Sequence, residues 1–120
     1  GVYARGFPHD PDKPLETLAE YCLGVYTNRS LPMRIDMLAN YMDEYGADGL
    51  LINSIKSCNS FSAGQLLIMR EVEKRTGKPA AFIESDLVDP RYFSAANIKN
   101  RLESYFQMIE QKRAGARAAA

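Results

Sequence analysis

Residues 48–85 read DGLLINSIKSCNSFSAGQLLIMREVEKRTGKPAAFIES and contain two short apolar runs, 48–55 and 79–85. The first run has no polar alternation over its first half, which is typical of a strand buried on both faces, and the second is a further buried-strand candidate. Between them, apolar residues recur at helical spacing over 62–76. Two parallel strands joined by a crossover helix form a βαβ unit, so this stretch predicts an α/β fold.

Residue types that begin and end helices mark the boundaries of this unit. Ser62 and Gln65 match the S-x-x-Q pattern of a capping box, in which two side chains satisfy free N–H groups at a helix start. Gly77 suits the left-handed position that follows a helix. The crossover helix is therefore expected to begin at Ser62 and to end before Gly77.

Two helices are predicted before this unit and one after it. Apolar residues of the first helix share one face with Cys22, so Cys22 is expected in the core. Ser30 is a candidate N-cap of the second helix, which ends at Gly46, and Ser94 is expected to cap the long last helix. The predicted order of elements is α-α-β-α-β-α.

Two strands are fewer than a doubly wound sheet normally contains. We therefore expect residues 15–112 to be the C-terminal part of a flavodoxin-like or Rossmann-like α/β domain, or a domain that completes its sheet with another chain. Residues 1–14, rich in Gly and Pro, are expected to form a loop or arm. Residues 113–120, rich in alanine, are expected to form a frayed tail.

Composition excludes several classes of function. The 120 residues include 15 basic and 15 acidic side chains, so net charge gives no reason to expect nucleic acid or an anionic membrane as a partner. No apolar run approaches the length of a transmembrane helix, and the first residues do not resemble a signal peptide. Two cysteines fit neither a disulfide framework nor a zinc pattern, which favours a reducing cytoplasm.

Cys58 follows the first strand and lies just before a helix, where free N–H groups favour an anion such as a thiolate. The carboxyl ends of parallel strands meet at one edge of a sheet, so Cys58 is expected near Glu84, Asp86 and Asp89. From the residues alone, Cys58 is a small buried residue, a nucleophile or a metal ligand. The carboxylates likewise have two interpretations, turn-forming or acid–base chemistry.

The motifs together resemble a known family. A strand with D-G, a cysteine, S-x-G-Q, a second strand and then E-x-D-x-x-D-P-R resemble the C-terminal region of the benzoyl-CoA reductase and 2-hydroxyacyl-CoA dehydratase family. Within it, residues 9–112 are most similar to the B-type subunits of ATP-dependent benzoyl-CoA reductases. The matching positions are Asp48, Gly49, Cys58, Ser62, Gly64, Gln65, Glu84, Asp86, Asp89, Pro90 and Arg91.

The resemblance implies an oxygen-sensitive, cytoplasmic enzyme of anaerobic metabolism. Two related subunits pair, and each holds a 4Fe-4S cluster between flavodoxin-like domains. A separate iron–sulfur activator that hydrolyses ATP, itself supplied by ferredoxin, delivers low-potential electrons. The substrate is an acyl-CoA: benzoyl-CoA is dearomatised to a cyclic dienoyl-CoA, whereas the dehydratases remove water from a 2-hydroxyacyl-CoA through a ketyl radical.

For individual residues, the resemblance implies that Cys58 is a late ligand of the cluster. Ser60, Ser62 and Gln65 are then placed to donate hydrogen bonds to cluster sulfur, and no catalytic residue is assigned. The family's upstream ligand cysteines are absent from these 120 residues. We therefore expect this stretch to bind no cluster by itself and to be inactive alone. A non-catalytic α/β interaction module with a structural Cys58 is the alternative.

Overall fold

The computed structural model describes residues 6–118, so the predictions for 1–14 and 113–120 lie partly outside the described residues. The described chain is an α/β arrangement of helices around two strands, as predicted. Its elements are helix α1 (Pro14–Gly24), a 3-10 turn (Tyr26–Asn28), α2 (Leu31–Glu44), β1 (Leu50–Ile55), the short α3 (Asn59–Ser62), α4 (Gln65–Thr76), β2 (Ala80–Ser85), a 3-10 turn (Pro90–Tyr92) and α5 (Ala95–Ala118).

The two strands pair in parallel, which confirms the predicted βαβ unit. Leu50 lies opposite Ala80, and Ile55 lies opposite Ser85. Helix α4 is the crossover between the strands and ends at Gly77, whose positive φ of 66° closes the helix as predicted. The crossover joins strands of six residues each, which form one short parallel ladder.

The core lies between α2, α4 and one face of β1. Ile35 and Met42 of α2 meet Ile68 and Val72 of α4, and the last two are essentially inaccessible to solvent. Each helix contributes residues at helical spacing, so one apolar stripe on each is removed from water. Leu50 and Ile52 of β1 pack against this cluster. This core fixes the strand whose end carries Cys58.

The other face of β1 is less covered. Alternate side chains of a strand point to opposite faces, so Leu51 and Asn53 lie on the face away from the core. Leu51 keeps 39% of its surface exposed, and Asn53 is exposed as well. The prediction of a strand buried on both faces is therefore wrong for the described chain, because α2 and α4 cover one face of β1.

The two edges of the sheet also differ. Lys56 donates its N–H to Ser85 of β2, as Leu50 does to Pro79, so the intervening Leu51 and Asn53 direct their backbone groups to the outer side of β1. Within residues 6–118 the sheet has two strands, and none pairs with that side. On the far side of β2, Arg101 of α5 donates to the Phe82 carbonyl at 3.0 Å. The edge of β1 is therefore the open one.

Helix α1 does not bury its apolar face. Leu15 is 77% exposed, Leu18 is 49% exposed, and Cys22 is exposed. The prediction that Cys22 lies in the core is wrong. Spacing identified an apolar stripe, but the described chain places no surface of the α2–α4 core against it, and none of the residues of α1 is buried.

Helix α5 begins as predicted and runs further than expected. Ser94 accepts a hydrogen bond from the Asn97 N–H at 3.4 Å, so its hydroxyl caps the helix. The helix continues past the expected start of the tail at residue 113, to Ala118, and Arg113 binds Asp48 with its Nε at 3.0 Å. No helix within residues 6–118 is both long enough and apolar enough to cross a membrane.

Candidate functional site

Cys58 lies in a tight turn immediately after β1. Its N–H donates to the Ile55 carbonyl at 3.1 Å, and its own carbonyl accepts from the Ser62 N–H at 3.0 Å and from the Ser62 hydroxyl at 2.6 Å. The residue occupies the N-cap position of α3 and is half-buried, outside the buried core. The Cys58 carbonyl also accepts from the Phe61 N–H at 3.2 Å, so four hydrogen bonds hold the backbone of this half-buried residue.

The start of α4 differs from the predicted capping box. Ser62 ends the separate short helix α3, and Gln65 donates its side-chain amide to the Phe61 carbonyl. Neither side chain caps α4, so the capping-box prediction is wrong. The reason is Gly64, which adopts a left-handed φ of 76° and breaks the helical path between α3 and α4. A Cβ at Gly64 would also collide with Leu31.

The three residues expected to donate to a cluster lie in or beside this turn. Ser60 is exposed, and its carbonyl faces α2. The Ser62 hydroxyl and the Gln65 amide instead donate to backbone carbonyls of the turn. Gln65 is 7% exposed, and its Oε1 has no hydrogen-bond partner within the described chain. The side chains of Ser62 and Gln65 brace the Cys58 turn from within.

Arg34 was missed by the sequence analysis. It lies on α2, is 8% exposed, and donates to the carbonyls of Arg29 at 2.9 Å, Ser60 at 3.4 Å and Thr27. Its guanidinium also lies 5.2 Å from the centre of the Tyr26 ring, whose burial raises the pKa of the Tyr26 hydroxyl while Arg34 lowers it. The sequence did contain an indication, because Arg34 lies three residues after Leu31 and so falls on the apolar face of the predicted helix.

The acidic loop after β2 contacts the Cys58 turn directly, as predicted. Asp86 accepts from the Ser57 N–H at 3.0 Å, and from the N–H groups of Val88 and Asp89 at 3.0 and 3.2 Å. Hydrogen bonds from Val88 and Ser57 stabilise the carboxylate, so the pKa of Asp86 is lowered. Asp86 therefore joins the ends of both strands.

Asp89 closes the same loop with Arg91. The Arg91 guanidinium binds both carboxylate oxygens, with Nε at 2.9 and 3.1 Å and Nη2 at 2.6 Å, and its backbone N–H donates to the same carboxylate at 3.0 Å. Arg91 lowers the pKa of Asp89. Both aspartates accept from N–H groups two residues ahead, so the turn-forming interpretation is confirmed for Asp86 and Asp89.

A shallow cavity of about 320 Å³ lies at this edge of the sheet. Its lining residues are Lys56, Ser57, Asp86, Val88, Asp89 and Tyr92. Lys56 Nζ lies 4.7 Å from the Tyr92 ring centre and 3.8 Å from a Glu84 carboxylate oxygen. The lining charges are one cation, Lys56, and two carboxylates, Asp86 and Asp89. Each is already engaged: Lys56 pairs with Glu84, Asp89 pairs with Arg91, and Asp86 accepts from backbone N–H groups.

The donor set for a metal centre is incomplete in the described part of the chain. No group of three His, Cys, Asp or Glu side chains among these residues is arranged to hold a metal ion. Cys22 is exposed on α1, and the acidic side chains at the Cys58 edge are engaged in turns and ion pairs. Cys58 thus fits one ligand position of a thiolate-bound cluster, which needs about four ligands in total.

Comparison with known proteins identifies a family. Residues 2–109 match the family model described as 2-hydroxyglutaryl-CoA dehydratase, D-component. The chain is 76% identical over 119 residues to the B-type subunit of benzoyl-CoA reductase from Thauera aromatica, a match that covers 99% of the chain and 28% of the relative. It is also 27% identical over 105 residues to lactoyl-CoA dehydratase subunit alpha of Anaerotignum propionicum, which covers 88% of the chain and 25% of the relative.

A third relative is (R)-phenyllactyl-CoA dehydratase alpha subunit of Clostridium sporogenes, 28% identical over 112 residues. That match covers 93% of the chain and 27% of the relative. The chain thus spans between a quarter and three tenths of the length of these curated relatives. The first two matches cover 99% and 88% of the chain, so both include the Cys58 turn and the acidic loop.

Proposed function

Because the chain belongs to the 2-hydroxyglutaryl-CoA dehydratase D-component family, we propose that it is part of an iron–sulfur subunit of an ATP-dependent benzoyl-CoA reductase. The observation that carries this proposal is the similarity to the benzoyl-CoA reductase relative over almost the whole chain. The intact enzyme, in the cytoplasm of an anaerobically growing cell, would reduce benzoyl-CoA to a cyclic dienoyl-CoA. The chain supplies one part of that subunit.

In this proposal Cys58 is one thiolate ligand of a 4Fe-4S cluster whose remaining ligands come from outside these residues. The cluster, when bound, supplies single electrons of low potential, which no side chain of this chain can provide. The turn around Cys58 supports this role, because its backbone is fixed by Ile55 and Ser62 while the residue lies outside the buried core. A ligand held on a fixed backbone is what a preorganised cluster site requires.

The neighbouring side chains act on the turn. Ser62 and Gln65 donate to its carbonyls, and Asp86 accepts from Ser57, so these contacts orient the backbone that carries Cys58. Ser60 is proposed to donate its exposed hydroxyl to cluster sulfur. Hydrogen bonds of this kind raise the potential of a cluster by stabilising its more negative, reduced state.

The proposed partners follow from the same family membership. We propose a sister subunit of the same family, an ATP-hydrolysing iron–sulfur activator and a ferredoxin that reduces the activator, with an acyl-CoA as substrate. Each relative is named as one kind of subunit of its enzyme, which supports an assembly of more than one chain.

Substitution of Cys58 in the full-length subunit tests the proposal. After anaerobic purification with its sister subunit, Cys58→Ser is expected to lose most of its cluster iron and its electron paramagnetic resonance signal. Cys22→Ser is the matched control, because Cys22 is exposed on α1 and away from the turn. Unchanged iron and an unchanged signal in Cys58→Ser would show that Cys58 is not a cluster ligand. Absence of iron from the wild-type subunit would instead favour an interaction module in which Cys58 is structural.

The dehydratase relatives favour one second candidate, removal of water from a 2-hydroxyacyl-CoA. It uses the same cluster position and a different substrate, so Cys58→Ser cannot separate the two reactions. Supplying the assembled enzyme with activator, ATP and either benzoyl-CoA or lactoyl-CoA does separate them. Formation of a dienoyl-CoA supports the reductase, and formation of an enoyl-CoA with loss of water supports the dehydratase.

A further inference from the structure

Arg34 presents an unusual charge. Its side chain is largely removed from solvent, since 8% of the residue's surface is exposed. A buried guanidinium ordinarily lies against a carboxylate, because desolvating an unpaired charge costs free energy. Arg34 forms no salt bridge with any carboxylate of residues 6–118, and its donors end on uncharged carbonyl oxygens. Within the described chain, its positive charge is therefore stabilised by carbonyl oxygens and by the face of the Tyr26 ring, and not by an ion pair.

One of the three hydrogen bonds of Arg34 reaches the turn that carries Cys58. Nη1 donates to the carbonyl of Ser60, two residues after Cys58, at 3.4 Å. Nε and Nη2 donate to the carbonyls of Arg29 and Thr27, in the segment between α1 and α2. One planar side chain thus joins two loops to α2 and holds a positive charge beside the Cys58 turn.

We propose that Arg34 is a positioning residue for the iron–sulfur site: it fixes the Cys58 turn through Ser60 and supplies the positive charge that a negatively charged cluster needs. This inference rests on the proposed function. A cluster bound by cysteine thiolates carries net negative charge, and net charge near a cluster sets its reduction potential. A fixed cation stabilises the reduced form and raises the potential.

The proposal explains why the charge is buried without an acid. An acid beside Arg34 would neutralise it in the absence of a cluster, whereas carbonyl oxygens satisfy its N–H groups and leave its charge in place. The anion then comes from the site that Cys58 helps to form. A structural arginine, by contrast, would be replaceable by any side chain that holds the turn without charge.

The test compares three variants of the full-length subunit, assembled anaerobically with its sister subunit. Arg34→Met removes charge and hydrogen bonds, and Arg34→Lys keeps the charge without the planar fork. Arg75→Met is the control, because Arg75 lies on α4 in an exposed ion pair with Asp36. Iron content and the cluster potential, from a redox titration followed by electron paramagnetic resonance, are measured for each.

Arg34→Met is expected to disfavour cluster reduction about tenfold, a potential lower by about 59 mV for one electron. Arg34→Lys is expected to restore most of the potential but not the full iron content, because one ammonium cannot reach three carbonyls. Arg75→Met is expected to match the wild type. Should Arg34→Met bind too little iron to titrate, Arg34→Lys decides: a wild-type potential supports the proposal and a lowered potential overturns it.

A wild-type potential in Arg34→Met, with normal iron content, overturns the proposal. The Cys58→Ser variant keeps this failure distinct from failure of the proposed function. If Cys58→Ser retains its iron, the ligand role proposed for Cys58 fails, and the inference about Arg34 fails with it. If Cys58→Ser loses its iron while Arg34→Met behaves as the wild type, only the inference about Arg34 is wrong.

Discussion

The α2–α4 layer and helix α5 are both amphipathic, yet they bury very different amounts of apolar surface. Ile68 and Val72 of α4 are almost fully inaccessible, whereas Phe106 and Met108 of α5 are 55% and 42% exposed. A helix of 24 residues is about 36 Å long, while a strand of six residues spans about 20 Å. A two-stranded sheet is thus too small to cover α5. The face of the sheet under α2 and α4 has a closed apolar core, whereas the apolar side chains of α5 stay partly exposed.

The largest expected effect comes from the same substitution made in each layer. Ile68→Ala removes side-chain atoms from a closed core, so we expect a loss of about 2–5 kcal/mol in the free energy of unfolding. Ile98→Ala, on half-buried α5, is expected to cost about 1 kcal/mol or less. Urea unfolding followed by circular dichroism measures both. Equal losses would show that α5 is packed as tightly as α4.

Gly49 sharpens the comparison where α5 does meet the strands. Tyr105 is a buried residue of α5. A Cβ at Gly49 would lie 2.7 Å from the Pro79 carbonyl oxygen and would collide with the Tyr105 hydroxyl. Gly49→Ala is therefore expected to cost about 1–3 kcal/mol of unfolding free energy through overpacking.

The control for Gly49 is Gly115→Ala, also measured by urea unfolding. A Cβ at Gly115 would meet no atom within 4 Å, and the residue is exposed within α5. Alanine is expected to stabilise the helix by about 0.5–1 kcal/mol, because glycine loses more backbone entropy on folding. An equal destabilisation at Gly115, where a new Cβ meets no atom, would contradict the assignment of the Gly49 effect to overpacking against Tyr105 and Pro79.

The sequence alone predicted much of the α2–α4 layer and of the strands that it covers. Apolar runs and helical spacing identified the βαβ unit, and Gly46 and Gly77 end α2 and α4 with the positive φ that glycine tolerates. The exposed face of α1 did not follow, because an apolar stripe that includes Leu15 and Cys22 shows which face is apolar and not what covers it. Coverage is a tertiary property that the pattern of one helix cannot supply.

The candidate site likewise has features that the sequence predicted and features that it did not. Topology alone placed Cys58 near Asp86, because parallel strands end at a common edge, and the Ser57–Asp86 hydrogen bond confirms it. The S-x-x-Q pattern gave the wrong start for α4, since the backbone demand of Gly64 outweighs a side-chain cap. The sequence did not predict the burial of Arg34, because a core predicted from apolar positions excludes charged residues. Hydrogen bonds to carbonyl oxygens make the burial of this charge possible.

The loop that contains Asp86 leads from β2 into α5. A substitution of Asp86 therefore tests whether the stability of this edge of the sheet depends on a charged carboxylate. The folded-state pKa of Asp86 is lowered below its ordinary value of 3.8, so its contribution to stability is present above that pH and is lost as pH falls through the lowered pKa. Asp86→Asn removes the titratable charge and leaves one accepting oxygen where the carboxylate has two, so it should flatten the loss of stability below about pH 4.

Unfolding midpoints between pH 7 and pH 2 measure this effect, with Asp12→Asn in the exposed arm as the control. The wild type and the control are expected to lose stability together in acid, and Asp86→Asn is expected to start lower at pH 7 and to lose less. Parallel curves for all three proteins would contradict a role for the lowered pKa of Asp86.

The smallest effect is expected at the far end of α5, where Arg113 pairs with Asp48 just before β1. Both side chains are about half exposed, and exposed ion pairs contribute between about 0 and 1 kcal/mol. Arg113→Gln should therefore cost less than about 1 kcal/mol at low salt, and the difference from the wild type should shrink at about 1 M NaCl, since salt screens the pair. A larger loss that persists in high salt would mean that α5 is held by this contact as firmly as α4 is held by burial, and the contrast between the two layers would then fail.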